Sequence, residues 1–142
     1  MSYVSQQQLI DRFGSRTLLQ LADRADPPAG TIDAAIVSRV LADTDAVIDG
    51  YLAGRYALPL SATPPLLIDI AAAIAIYKLH VYAPDKKIED DYRDAIATLT
   101  KISTGVVQLP VAGVAPAASG SAGVEVTDRD RDITPENMRG FI

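Results

Sequence analysis

The residues that could do chemistry in this chain are few. There is one histidine, His80, and no cysteine. Disulfides, thiolate metal sites and thiol catalysis are therefore excluded, as is a two-histidine metal site within one chain. His80 stands at the polar end of an apolar stretch and reads as a structural or surface residue; its alternative chemistry is that of a lone general base. Asp43, Asp45 and Asp49 form the first acidic group. Asp45 and Asp49 share a helix face one turn apart, but Asp43 points roughly 160° away from Asp45. Asp128, Asp130 and Asp132 form the second, alternating with Arg129 and Arg131. A calcium loop needs glycine at its sixth position; counted from Asp43 or from Asp128, that position holds Ile48 or Ile133. Both groups read as solvated charge.

Glycine motifs point no more firmly to a ligand. No Gly-x-Gly-x-x-Gly, Walker or Gly-x-Ser-x-Gly pattern occurs. The pair in Gly50-Tyr51-Leu52-Ala53-Gly54 lacks both a preceding strand and a following Lys-Ser/Thr. Tyr51, Arg55 and Tyr56 form a candidate recognition patch, with the alternative that Arg55 caps helix carbonyls or stacks on a tyrosine. With no convergent acid, base and nucleophile, the expectation is a protein that is not an enzyme and that uses no metal or cofactor.

These residues are positioned by a helical hairpin over residues 31–81. In its first arm Ile36, Val40, Val47 and Tyr51 lie on one line at helical spacing, and Val37, Leu41, Ile48 and Leu52 on the next. The two lines make a core-facing stripe. Thr31 is the expected N-cap, followed by Asp33 at the positive end of the helix dipole. Ala46, Gly50 and Ala53 or Gly54 form a ridge without bulk. Gly50 costs about 1 kcal/mol relative to alanine in a helix, so it reads as a packing site for a second backbone. The turn, residues 58–65, carries Pro59, Pro64 and Pro65. The second arm, residues 66–81, is apolar nearly all round, which means burial or a membrane. Asp69, Lys78 and His80 interrupt it before the about 20 apolar residues of a span, so burial is predicted. The remaining helices of so small a chain look insufficient to cover it, and a second copy is expected to supply the rest.

Before the hairpin, Ser5 and Gln8 have capping-box spacing for a short helix through Phe13. Gly14 stops it, Ser15 is placed to cap a second helix through Leu21, and residues 26–30 form a Pro/Gly loop. After it, Asp85 is placed to cap a fifth helix running to about Thr104, with Ile88, Tyr92, Ile96, Leu99 and Ile102 at helical spacing and Gly105 as its C-terminal stop. Residues 106–109 read as one short strand. Residues 113–123, GVAPAASGSAG, hold nothing larger than valine and read as a flexible linker. Thr134 and Pro135 can open one helical turn, and Met138, Arg139, Phe141 and Ile142 are the docking residues of a C-terminal arm. The prediction is a mainly α protein: a bundle of about five helices over residues 1–109, and an extended linker and arm over residues 110–142.

At 142 residues one domain is expected. The opening MSYVSQQQLIDRF shows no basic region followed by an apolar run, which predicts no secretory signal and a cytoplasmic start. A net charge of -5 with scattered Lys and Arg disfavours tight DNA binding and suits a surface past which DNA slides.

The run from Ile48 to Leu60, Ile-Asp-Gly-Tyr-Leu-Ala-Gly-Arg-Tyr-Ala-Leu-Pro-Leu, resembles the hallmark of a Mu-like prophage protein family named for gene product thirty-six of phage Mu. Residues 3–21, 70–79, 92–105 and 133–141 are similar to its other segments, so the resemblance covers nearly the whole chain; the linker around Ala115-Pro116 is less family-like. It implies a phage or prophage virion structural protein. More remotely, the chain resembles helical head–tail connectors, which implies a head-completion subunit in a homo-oligomeric ring between portal and tail. Such a subunit would meet portal and tail or neck proteins, let DNA pass without binding it specifically, have no membrane role, and reside in the virion neck after assembly in the host cytoplasm. The family carries no catalytic residues to transfer. The alternative is a DNA-packaging or regulatory adaptor of small-terminase type, which would need a helix-turn-helix; residues 5–22, with Arg12, Arg16 and the nearby Arg24, are its one candidate.

Overall fold

The computed structural model describes residues 2–111. Among them five helices form and no strand: α1 (Gln6–Phe13), α2 (Ser15–Ala22), α3 (Ala34–Leu52), α4 (Pro65–Leu79) and α5 (Lys86–Thr104). The linker and arm from residue 112 onward lie outside the described residues.

Local signals set most boundaries. Ser5 Oγ accepts from the Gln8 amide at 3.2 Å while Gln8 Oε1 accepts from the Ser5 amide at 2.8 Å, closing the capping box on α1. Gly14, at φ 89°, turns the chain between α1 and α2 in a conformation that side chains resist. It occupies the N-cap position of α2 itself, so Ser15 is the first helical residue and no side chain caps that helix. For α3 the cap is Asp33 rather than Thr31: its carboxylate accepts from the amides of Ala35 at 2.9 Å and Ile36 at 3.4 Å. An acid in this position combines the side-chain cap with the favourable dipole interaction. Asp85 stands at the N-cap of α5 without a side-chain cap bond, and Gly105 closes that helix in the left-handed conformation at φ 82°.

Helices α3, α4 and α5 pack pairwise against one another as a three-helix bundle, and α1 and α2 pack together, α1 against α4 and α2 against α3. The buried line of α3 runs between the two expected ones, through Val37, Val40, Thr44, Ile48 and Leu52. Thr44 is tolerated there because its hydroxyl donates to the Val40 carbonyl at 2.8 Å. On α5, Ala95, Leu99 and Ile102 are buried, while Ile88, Tyr92 and Ile96 are half-buried.

The structure corrects the expected shortage of cover. In α4, Leu67, Ile70, Ala71, Ala72, Ile74, Ala75, Ile76 and Leu79 are all buried by the chain itself. Four alanines and the close flanks of α3 and α5 make this possible: a slim helix needs less wrapping than its hydropathy implies. The large apolar residues left exposed lie at the ends of the expected second arm, Leu66 at 38% and Val81, beyond α4, at 63%. Residues 106–109 form no strand; Leu109 turns in to join the core at 3% exposure. Among the described residues no helix is long and apolar enough to cross a membrane.

Candidate functional site

The run from Gly50 to Tyr56 ends α3 and carries both packing and surface. Tyr56 is buried at 3% exposure, and its hydroxyl accepts from the Leu109 amide at 3.0 Å. The Arg55 guanidinium lies across Gly105, where a Cβ would meet its Cζ at 2.2 Å. Glycine at 105 is required by its positive φ; the guanidinium, at the far end of a flexible side chain, can shift aside. Tyr56 locks the chain after α5 back onto the end of α3 and Arg55 lies over that turn; Tyr51 and Arg55 are both half-buried, and Tyr56 is buried. The proposed three-residue recognition patch is not assembled.

Asp45 and Asp49 do share a face, and they use it on Tyr3. Asp45 accepts from the Tyr3 amide at 3.0 Å, and Asp49 accepts from the Tyr3 hydroxyl. Burial, the hydrogen bond to Asp49, and the charges of Asp49 and Asp45 push the Tyr3 hydroxyl well above its ordinary pKa. The pair therefore clasps the N-terminal segment to α3 rather than sitting as free solvated charge. Sequence spacing gave no sign of this, because the partner lies more than forty residues away and follows no period. Among the described residues, no group of three or more His, Asp or Glu is arranged to hold a metal ion. His80 Nδ1 sits 2.8 Å from the Ile76 carbonyl, at the end of α4.

Arg12 of α1 and Arg24, two residues beyond α2, are spent on packing. Arg12 pairs with Asp69 of α4. Arg24 donates to the Leu79 carbonyl at 3.1 Å, satisfying one of the free acceptors at the end of α4. Asp23 gathers the amides of Ala25, Ala29 and Gly30 at 3.4, 3.1 and 2.7 Å. Those bonds, from Gly30 and Ala29 first, hold its carboxyl below the usual carboxylate range.

Two apolar-floored depressions flank α5. The larger, about 610 Å³, lies between α1, α4 and α5: Phe13, Leu66, Ile70 and Ala73 contribute its floor, and Arg12, Asp69, Lys87, Asp91 and Asp94 its rim. The smaller, about 420 Å³, is lined by Ala46, Val47, Gly50 and Tyr51 of α3 and by Tyr92 and Ile96 of α5. Tyr92 is braced from behind by Tyr77, the two rings stacked at 4.0 Å with 10° between their planes. Of the expected interface residues, Ala46, Gly50 and Tyr51 are therefore brought together. Gly54, Arg55 and Tyr56 lie outside that depression. A Cβ at Gly50 or Gly54 would meet nothing within 4 Å, so no part of the described chain uses the small-residue ridge. The expected docking residues Met138, Arg139, Phe141 and Ile142 lie outside the described residues.

Comparison with known proteins agrees with this geometry in extent. The family model described as bacteriophage Mu, Gp36 matches residues 3–128, which spans all five helices. The chain is 30% identical over 142 residues to gene product J of Escherichia phage Mu, covering the whole of both. It is 36% identical over 107 residues to the Mu-like prophage FluMu protein gp36 of Haemophilus influenzae, covering 75% of this chain and 74% of that one.

Proposed function

From the premise that this chain belongs to the bacteriophage Mu Gp36 family of phage and prophage proteins, we propose that it is a virion structural protein, a head-completion subunit that forms a homo-oligomeric ring between portal and tail. The observation that carries this reading is the pair of depressions on different flanks of α5. The larger takes Asp91, Asp94, Ala95 and Thr98 from that helix, and the smaller takes Tyr92 and Ile96; adjacent positions such as 91 and 92 are about 100° apart. Two unlike surfaces on one subunit fit a head-to-tail contact, and a head-to-tail contact that closes makes a ring. The small-residue ridge at Ala46 and Gly50 admits a close backbone, and the core is complete without it.

Function here is geometry. The acidic balance, -5 in net charge, gives a lumen that does not grip DNA. Arg12 and Arg24, two of the three cations a helix-turn-helix reading would put on DNA, are held in intramolecular contacts. Electron microscopy of the purified chain, alone and mixed with the portal of its own phage, tests the reading: closed rings, free or seated on the portal, are expected, and neither appearing would refute it.

A further inference from the structure

Resting on that ring reading, we infer that the groove between α1, α4 and α5 takes the segment Met138-Arg139-Gly140-Phe141-Ile142 of a neighbouring copy. Three independent features meet here. The groove has an apolar floor that the described chain leaves open, with Leu66 exposed at 38%. Its volume of about 610 Å³ lies within the roughly 300–1,000 Å³ of sites that enclose a ligand, enough for a few side chains. Phe141 is the one aromatic residue among residues 112–142, and Met138 and Ile142 flank it.

Charge matches as well. The rim carries Asp69, Asp91 and Asp94 against Arg12 and Lys87. Arg12 is paired with Asp69 and Lys87 with Asp91, and among the described residues Asp94 has no ion-pair partner. Arg139 is the one cation in residues 132–142, set between the apolar anchors as Asp94 is set beside the apolar floor.

Chain length allows the neighbour's groove, and the ring reading supplies the neighbour. Residues 112–137 (137 − 112 + 1, or 26) have a reach of at most roughly 85–95 Å. A bundle of about 110 residues has a radius of gyration near 13 Å, so two in contact stand roughly 30 Å apart.

The absence of cysteine makes the test direct. Full-length Thr98→Cys and Gly140→Cys chains are mixed and oxidised. A disulfide-linked dimer of the two is expected at least tenfold above a Thr98→Cys and Ala42→Cys mixture. The yield should collapse when the arm also carries Arg139→Glu, and return when the groove carries Asp94→Lys. A yield equal to the control overturns the inference, as does a Thr98→Cys/Gly140→Cys chain that closes only on itself. Light scattering of the wild-type chain separates the two levels: rings without cross-linking leave the ring reading standing and remove this one, whereas a monomer without cross-linking removes both.

Discussion

The Leu109 amide donates to the Tyr56 hydroxyl at 3.0 Å, buried, across 53 positions of sequence. This one bond ties the residues after α5 to the end of α3, close to the last described position. Tyr56→Phe leaves a buried N–H with no acceptor, at a cost of about 1–3 kcal/mol. Urea unfolding should show that loss, and hydrogen exchange should speed up at residues 106–111 before it does in α4.

Tyr3 sets an alkaline limit on stability. Its folded pKa is raised by burial and by Asp49 and Asp45, while the unfolded hydroxyl titrates near its ordinary value of about 10. Above about pH 10 the unfolded chain gives up a proton that the folded chain retains, so the contribution is complete below that pH and falls as the pH rises past it. Tyr3→Phe should cost about 1–3 kcal/mol at neutral pH, since a hydrogen bond to a charged group is lost, and should flatten the alkaline decline. Thermal unfolding across pH 7–11 reads both effects.

Asp23 works at the other end of the scale. Its carboxyl is held below the usual range by the Gly30 and Ala29 amides. The contribution is present above the unfolded pKa of about 3.9 and is lost as the pH falls through the lower folded value. Asp23→Ala should free residues 23–30, detected as faster exchange at the Ala29 and Gly30 amides, and should remove the acid sensitivity of that loop.

Gly50 separates folding from assembly. A Cβ there meets nothing within 4 Å, and alanine is better than glycine in a helix interior by about 1 kcal/mol. Gly50→Ala should raise the thermal midpoint of the single subunit. Gly50→Leu should lower the mass of any assembly that packs on Ala46 and Gly50. An unchanged mass would remove this ridge from the interface.

Features that depend on near neighbours in sequence were legible before the fold was known. The Ser5–Gln8 box, the stop at Gly14, the left-handed Gly105 and the five helices all follow from spacing, propensity and backbone freedom. So did the burial of α4. The features that escaped are pairings between distant segments: Tyr3 with Asp45 and Asp49, Tyr56 with Leu109, Arg55 over Gly105. Each joins a side chain to a partner that no period predicts. Thr44 is polar by type, and only the Val40 carbonyl of its own helix makes it a core residue. Hydropathy overstates the cover that α4 needs, because it counts apolar residues without their size, and alanine is easily hidden. As a result, three of the expected surface residues, Gly54, Arg55 and Tyr56, belong to or border the lock at the end of α3, while Ala46, Gly50 and Tyr51 do share a depression.

Self-assembly is the claim on which the rest depends, and the solution mass of the purified full-length chain tests it most directly. Light scattering over micromolar to millimolar concentration, with and without the portal, should give a single discrete multiple of the 15.1 kDa chain, rising to a closed ring. A mass that stays at one chain under every condition, with no ring on the portal, would contradict it.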